Sequence, residues 1–299
     1  MLIVVLNFNG APDTIECLAS LEKQTYRKIT TLVIDNGSQR NGAEPIRAAC
    51  PGVWLIQLEE NLGWAGGNNV GIRLGLEQNF DLICLLNNDT VVEAPAIERM
   101  VATAASLPPC LLHPALYYYD DQNEPQLDPD KGGWGKLHDG HTGIFRLDFA
   151  YGACLMVHHE IFRKVGLLDE RFFLQLEEAD LYERAHRAGY ESLCMPAARV
   201  LHKESRTFGT RLAPQKTYYT VRNSLLLAEK HTTTIGGFKQ AAAKLYWGLG
   251  NIARRDGLGH GILPFTRWAF SRDPFAKAAR RGLRDYCLRR FGRAREAFN

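Results

Sequence analysis

The 299-residue sequence lacks four features, each of which would define a class of protein. It has no internal repeat and no run approaching the ~20 apolar residues of a membrane helix, so repeat arrays and membrane-spanning proteins are excluded. None of its seven cysteines forms a CxxC pair, which argues against a zinc or disulfide framework and for buried, reduced thiols in the cytoplasm. Its net charge of +3 is too small for a nucleic-acid clamp, so we expect no nucleic-acid partner.

The sequence also shows no sign of a signal peptide at its start. The opening MLIVVLNFNG is apolar but short, and it has neither a basic segment nor a cleavage site, so it predicts a strand. Apolar residues make up 45% of the chain and charged residues 23%, as in a globular protein with a full core. A chain of this length can form one large domain with an appendage.

Strands and helices alternate through the first third of the sequence. Continuous apolar runs predict buried strands, and helical spacing of apolar residues predicts the helices between them. The predicted strands are 2–6, 31–34, 53–58 and 82–86, and the predicted helices are 14–24, 68–79 and 94–105. This order predicts a mainly parallel sheet with helices on both faces, and in such sheets ligands bind at the carboxyl ends of the strands.

Polar clusters follow several of these strands. They are Asn7 with Asn9, Asp35 with Asn36, Asn61, and then 87–89. Turn chemistry alone also favours Asn, Asp and Gly, so two interpretations stay open, ordinary turns or one shared site. Asp89 is suited to a hard divalent cation on a diphosphate, although an Asp at a strand end also forms caps and turns.

The second half of the sequence adds a loop and a group of carboxylates. Residues 118–147 are rich in Asp, Pro and Gly and predict a long mobile loop. The predicted elements beyond it are helices at 160–165 and 178–188 and short strands at 192–195 and 199–202. Glu177, Glu178 and Asp180 stand at the start of the longer helix, where the helix dipole favours acidic side chains. The apolar segment before them would also raise a carboxyl pKa, as a general base requires.

His202 ends the last predicted strand. A lone histidine is more often structural than a ligand. Lys203 and Arg206 follow it, however, and side chains of this type hold phosphate oxygens.

The last segment, 272–295, is basic, with Phe, Leu and Tyr interspersed among Arg and Lys. A basic amphipathic helix of this kind lies on an anionic membrane surface, packs on the rest of the chain, or forms a homodimer contact. The pattern does not separate these three interpretations.

Seven ordered segments resemble family 2 glycosyltransferases of the GT-A fold, in particular the rhamnosyltransferase-like branch. The segments are IVVLNFNG, LVIDNGS, ENLGWAGGNNVGI, LLNNDT, YGACLMVHHEIFRKVGLLDERFFLQLEEADLYERAHRAGY, VLHKES and YYTVRN. The resemblance implies a GT-A catalytic domain at 1–215, made of a nucleotide-binding half (1–105) and an acceptor-binding half (106–215), whose 118–147 loop would be mobile. A helical, basic extension would follow at 216–299.

The resemblance also implies roles for single residues. Those that would line the nucleotide and diphosphate of the donor are Asn7, Asn9, Asp35, Asn61, Gly63, Asn68, Asn69, Asn87, Asn88 and Arg222. Asp89 would bind Mg²⁺ or Mn²⁺ on the diphosphate, with His202 as a second ligand. Glu178 would be the base that deprotonates the acceptor hydroxyl, with Glu177 as the alternative.

The implied activity is inverting transfer of a sugar, with dTDP-rhamnose or a UDP-sugar as donor. The acceptor would be a hydroxyl of a saccharide or lipid-linked saccharide in cell-surface polysaccharide synthesis, at the inner face of the membrane. Asn87 and Glu178 stand where the family has Asp, so a nucleotide-sugar-binding protein with impaired catalysis is the alternative. A nucleotidyltransferase fits less well, because its glycine-rich, basic phosphate loop is missing after the first strand.

Overall fold

The structure is a computed structural model that describes residues 1–39, 42–129, 143–204, 213–232 and 262–295, together with the backbone of 136–137 and residue 239. The chain divides into two units. The first comprises Met1–Leu168 and Glu178–Gly209, and the second comprises Asp169–Glu177 and Thr210–Asn299.

One β-sheet forms the centre of the first unit. Its strands are β1 (Leu2–Asn7), β2 (Thr30–Asp35), β3 (Trp54–Gln57), β4 (Leu82–Asn87), β5 (Thr90–Val92), β6 (Cys110–Tyr118), β7 (Pro125–Leu127), β8 (Lys136–Leu137), β9 (Phe145–Leu147), β10 (Cys154–His158) and β11 (Glu191–His202). Their order across the sheet is β3-β2-β1-β4-β10-β6-β11-β9-β8, with β5 paired to β11 and β7 to β6.

The sheet is mixed. Strands β1 to β4 are parallel, because the chain returns through a helix between each strand and the next. Strand β10 runs antiparallel between β4 and β6, and β11 is parallel to β6. The predicted α/β class is confirmed, and its parallel part consists of the first four strands and the β6–β11 pair.

Helices cover both faces of this sheet. They are α1 (Ala11–Glu22), α2 (Glu44–Ala49), α3 (Gly63–Glu77), α4 (Ala96–Ser106), α5 (His159–Val165) and α6 (Glu177–Arg187). Alternate residues of β1 are fully buried in two different hydrophobic clusters, Ile3 and Val5 in one and Leu2 and Val4 in the other. The strand is therefore covered on both sides, which explains its continuous apolar run.

Several elements differ from their predicted form, and α2, β6 and β10 were not predicted. Helix α3 begins at Gly63 instead of residue 68, because its glycines pack closely on β1: a Cβ at Gly67 would lie 2.4 Å from the Leu6 side chain. The strands predicted at 192–195 and 199–202 are one strand, β11, with an irregular register between them. Within 118–147, the described residues include β7, β8 and β9, while 130–135 and 138–142 lie outside the described residues.

The second unit contains three described helices, α7 (Pro214–His231), α8 (Ile262–Ala269) and α9 (Pro274–Cys287), so the expected helical C-terminal region is confirmed. Helix α9 packs closely on α7: a Cβ at Gly282 would lie 2.6 Å from the Tyr218 carbonyl oxygen. The Tyr218 hydroxyl donates a 2.9 Å hydrogen bond to the buried Asp285 carboxylate. In the described part of the chain, every helix is too short or too polar to cross a membrane.

Candidate active site

The carboxyl ends of β1 and β2 carry a hydrogen-bonded polar cluster. Asn7 and Asp35 are register partners at the last positions of these strands. Asn7 Nδ2 donates to Asp35 Oδ1 at 2.7 Å, and Ser38 Oγ donates to the same oxygen at 2.5 Å. Asp35 is buried, and its Oδ2 has no hydrogen-bond partner among the described residues. Because a buried, unpaired carboxylate oxygen is costly, this atom points to a ligand that offers an N–H or O–H group.

Two further amides shape the loops around this cluster. Asn9 has a left-handed backbone with φ 55°, and its Oδ1 accepts from Gln39 N at 2.9 Å. Asn61 Oδ1 accepts from Asn36 Nδ2 at 3.0 Å and from Gly63 N at 2.7 Å. Gly63 begins α3 with φ 78°, a conformation that favours glycine. These bonds hold the turn after β3 against the turn after β2.

Asn68 and Asn69 are both buried in α3 but have different surroundings. The Asn69 amide exchanges two hydrogen bonds of 2.9 and 3.0 Å with the backbone of Leu168, which makes it an anchor for that segment. Asn68 Nδ2 donates to the Trp64 carbonyl, while its Oδ1 has no hydrogen-bond partner in the described part of the chain. Asn68 therefore fits a pocket-wall residue better than Asn69 does.

The side-chain amides of the turn after β4 form hydrogen bonds with α3 and with the start of α1. The Trp64 indole donates to Asn87 Oδ1 at 2.9 Å, which leaves the Asn87 NH₂ group as a hydrogen-bond donor. Asn88 Nδ2 donates to the Gly10 carbonyl at 3.2 Å and to Thr14 Oγ1 at 3.0 Å. These contacts fix the backbone that carries Asp89.

Asp89 and His202 come together at the end of the sheet. Strand β5 pairs with the end of β11 so that Thr90 lies opposite His202, which places Asp89 beside the imidazole. His202 Nε2 and Asp89 Oδ1 are 3.3 Å apart, and both residues are buried.

Gln126 in β7 determines which nitrogen of His202 carries the proton. Gln126 Nε2 donates to the His202 carbonyl at 3.0 Å, and because a carbonyl only accepts, the other end of the amide must be the oxygen. That oxygen lies 2.8 Å from His202 Nδ1, so Nδ1 carries a proton and donates it. In the neutral imidazole, Nε2 then faces Asp89 with a lone pair. Two acceptors at 3.3 Å repel each other unless a proton or a cation lies between them.

This arrangement fits a divalent cation that also binds phosphate. Among the residues that the structure describes, no group of three or more His, Cys, Asp or Glu forms a ready metal cage. Mg²⁺ in phosphate-binding sites usually takes only one or two protein ligands, with water and phosphate oxygens as the others. Asp89 and His202 meet that requirement.

Tyr151 connects this pair with the predicted base. Burial raises the pKa of the Tyr151 hydroxyl well above its usual value, and the negative charges of Glu204, Glu178 and Asp89 raise it further. Glu178 and Asp89 thus both act on this phenol through their charge, and a bound cation would offset both charges.

The other acidic residues of α6 have different environments. Asp180 is fully buried and accepts a 2.9 Å hydrogen bond from Arg184 Nε, as expected for a structural ion pair. Glu177 is buried, whereas Glu178 is partly exposed and open to an acceptor hydroxyl. This difference favours Glu178 over Glu177 as the base.

The sequence pattern that defines Glycosyl transferase family 2 matches residues 2–166. The chain belongs to this family. The matched region contains Asn7, Asp35 and Asp89 but ends before Glu178 and His202. A solved mannosyltransferase from Pyrobaculum calidifontis, in complex with GDP-Man and Mn2+, superposes with a TM-score of 0.59 at 13% identity, over 96% of this chain and 87% of that one. At this identity the likeness shows the GT-A fold alone.

Two curated relatives of this family 2 glycosyltransferase are rhamnosyltransferases by name. The chain is 26% identical over 288 residues to N-acetylglucosaminyl-diphospho-decaprenol L-rhamnosyltransferase of Mycobacterium tuberculosis, covering 86% of this chain and 91% of the relative. It is 24% identical over 239 residues to dTDP-rhamnosyl transferase RfbF of Shigella flexneri, covering 76% of this chain and 79% of the relative.

One basic residue of this glycosyltransferase, Lys203, does not have the surroundings expected of a phosphate ligand. Lys203 Nζ lies 2.5 Å from Asp13 Oδ1 and also contacts Glu16, so its charge is balanced by α1. Arg206 lies outside the described residues.

Arg222, expected to steady the diphosphate, is fully buried in the second unit. A guanidinium has five N–H donors. The protein acceptors that they face are Asn223 Oδ1, the Tyr218 hydroxyl and the carbonyl oxygens of Gly292, Arg171 and Phe172. Every N–H group of this side chain therefore donates to a protein acceptor. We correct the assignment of Arg222: it belongs to the framework of the second unit and not to the site for the nucleotide sugar.

Four residues of this site were missed by sequence reasoning: Ser38, Trp64, Gln126 and Tyr151. Three of them lie inside the segments that carry the family resemblance, so a signal was present. Gln126 lies in a stretch predicted as a loop, where no hydrophobic period marks a strand.

Replacing Gln126 tests its effect on the imidazole. We expect Gln126→Leu to weaken Mn²⁺ binding about 10- to 100-fold, because His202 loses the acceptor that keeps the proton on Nδ1. Calorimetric titration of Mn²⁺ in the presence of UDP or dTDP measures this. Gln122→Leu, an exposed position in the same region, is the matched control, and equal affinity in both variants would contradict the role of Gln126.

Proposed function

We propose that this glycosyltransferase moves rhamnose from dTDP-rhamnose, or another sugar from a UDP-linked donor, to a hydroxyl of a saccharide or lipid-linked saccharide. The transfer inverts the anomeric carbon and depends on Mg²⁺ or Mn²⁺. The observation that carries the proposal is the 3.3 Å approach of His202 Nε2 to Asp89 Oδ1 at the end of the sheet, in the same unit as Glu178.

The free oxygen of Asp35 supports the choice of nucleotide. Thymine and uracil each present one imino N–H, and a buried carboxylate oxygen without a donor is suited to receive it. The relative in Shigella flexneri is by name a dTDP-rhamnosyl transferase, which favours the dTDP-linked sugar among the pyrimidine donors.

Asp89 and His202 would hold the cation on the donor diphosphate. When bound, the cation supplies positive charge where the departing diphosphate gathers negative charge. The mannosyltransferase from Pyrobaculum calidifontis was solved with Mn2+ and GDP-Man, which supports the use of such an ion by proteins of this fold.

Glu178 would act on the acceptor. As the acceptor oxygen forms its bond to the anomeric carbon, the bond from that carbon to the diphosphate breaks, and the hydroxyl proton passes to the Glu178 carboxylate. The nucleotide diphosphate departs with the electron pair of the broken bond. Attack from the side opposite the leaving group inverts the anomeric carbon.

The C-terminal region supports a membrane-associated acceptor. Phe270 is 81% exposed, and Leu283 on α9 and Leu288 directly after it are about half exposed, at 51% and 52%. Exposed Lys277 and Arg284 accompany them, a combination that suits an anionic membrane surface. The mycobacterial relative acts, by its name, on a diphospho-decaprenol-linked sugar, so we place this protein at the inner face of the membrane, in cell-surface polysaccharide synthesis. The same exposed residues are candidate contacts for a homodimer.

A donor screen tests the proposal. We expect dTDP-rhamnose or a UDP-sugar to raise the melting temperature with Mn²⁺ present and to release its nucleotide when an acceptor is added. Asp35→Asn should weaken dTDP and UDP binding about tenfold or more, because the amide cannot accept on both sides, while Asp81→Asn, an exposed position, should not. Binding without release under all conditions would favour the impaired, sugar-binding alternative.

A further inference from the structure

The backbone just before Glu177 and Glu178 is unusual. Phe173, Gln175 and Leu176 have φ values of 64°, 74° and 72°, in the left-handed region that residues other than glycine seldom adopt. A conformation of this kind persists only where the surrounding structure imposes it, and it occurs most often at functional sites.

Two neighbouring side chains of α7 impose this conformation. Asn223 Nδ2 lies 2.8 to 2.9 Å from three backbone carbonyl oxygens, which share its two hydrogens, and Arg222 Nη2 donates two hydrogen bonds, of 3.1 and 2.8 Å. The carbonyls that accept them are those of Arg171, Phe172, Leu174 and Gln175. Asn223 Oδ1 also accepts from Arg222 Nε at 3.0 Å, so the two side chains brace each other.

Aromatic contacts reinforce the same arrangement. The Phe173 ring stacks on Tyr219 with 5.4 Å between ring centroids. The Arg222 guanidinium lies 4.9 Å from the centre of the Tyr219 ring, three positions along the helix. The YYTVRN segment thus presents one face of α7 to the 171–176 segment, within the second unit.

We propose that Arg222 and Asn223 are positioning residues that fix the backbone of 171–176 and thereby the place of Glu178, two positions further along the chain. The proposal rests on the proposed function, because it concerns the base. Neither side chain acts on substrate: the donors of Arg222 are all used by protein acceptors, and the Asn223 amide is held by backbone carbonyls and Arg222.

A double-variant cycle tests this dependence. We expect Asn223→Ala to lower kcat about 10²-fold, with the donor KM and Mn²⁺ affinity within about twofold of wild type, since a misplaced catalytic group costs rate and not donor binding. Combined with Glu178→Gln, Asn223→Ala should cause no further loss, because both changes remove the same contribution. A purely structural role would instead give losses that multiply.

A second pair of variants changes only the backbone preference. Gln175→Val disfavours the left-handed conformation, whereas Gln175→Asn tolerates it at similar polarity. We expect the Val variant to lose at least about tenfold in kcat and the Asn variant to keep wild-type kcat. This pair carries the test if Asn223→Ala does not fold.

The outcomes separate the two proposals. A wild-type protein that transfers no sugar contradicts the proposed function, and the positioning role with it. A wild-type protein that transfers sugar, with multiplying losses in the cycle or equal kcat in the two Gln175 variants, contradicts the positioning role alone.

Discussion

Glu178→Gln is expected to bind the nucleotide sugar as tightly as the wild type and to lose about 10²- to 10⁴-fold in transfer rate, the usual contribution of a general base. The amide has the size of the carboxylate but cannot take the proton of the acceptor hydroxyl. The donor cluster at Asn7 and Asp35 lies at the ends of β1 and β2 and not on the helix that carries Glu178, so nucleotide affinity should not change.

Two measurements on the same preparations make this result specific. Calorimetry with dTDP or UDP reports donor binding, and release of nucleotide in the presence of acceptor reports transfer. Glu183→Gln, half-buried on the same helix, is the matched control and should retain wild-type activity. A wild-type transfer rate in Glu178→Gln would overturn the assignment, and selective loss in Glu177→Gln would move the base to that residue.

The parallel half of the fold was predictable because its strands carry a local signal. Strands buried on both faces are continuous apolar runs, and Leu2 to Leu6 and Leu82 to Leu86 are of this kind. The start of α3 was not predictable, because it is rich in glycine, which is a poor helix former in isolation. These glycines lie in the helix because they allow it to pack closely on β1, and local helix propensity contains no information about that tertiary contact.

The second half of the sheet depends on pairings between distant segments. Strand β10 enters between β4 and β6 in antiparallel orientation, which its own five residues do not encode. The contact of Asp89 with His202 likewise follows from the register of β5 on β11. Only the family resemblance indicated that these two residues would meet.

Arg222 shows why a motif residue can be assigned to the wrong role. An arginine in a family segment suggests phosphate binding, because its planar fork suits phosphate oxygens. Here the guanidinium donates to the backbone carbonyls of Arg171, Phe172 and Gly292, all of which are far from Arg222 in sequence. Only the three-dimensional structure reveals that these acceptors surround one guanidinium.

Asp89→Asn is expected to lower Mn²⁺-dependent transfer about 10³-fold. A bound cation contributes several kcal/mol to stabilising a departing diphosphate, and each 1.36 kcal/mol corresponds to a factor of ten in rate. The amide removes a negative charge and an oxygen ligand while keeping the shape of the side chain. Transfer rates over a range of Mn²⁺ concentrations, with Asp81→Asn as the control, measure the effect.

The same substitution should also stabilise the metal-free protein. When Nδ1 alone carries a proton, His202 Nε2 and the Asp89 carboxylate are two acceptors 3.3 Å apart. The NH₂ group of an asparagine can donate to Nε2 and replace that repulsion with a hydrogen bond. We therefore expect a higher melting temperature for Asp89→Asn than for wild type in EDTA, and a smaller increase when Mn²⁺ and dTDP are added. A lower melting temperature in EDTA, with Mn²⁺-dependent transfer intact, would show that Asp89 stabilises His202 as an ion pair and that the cation binds elsewhere.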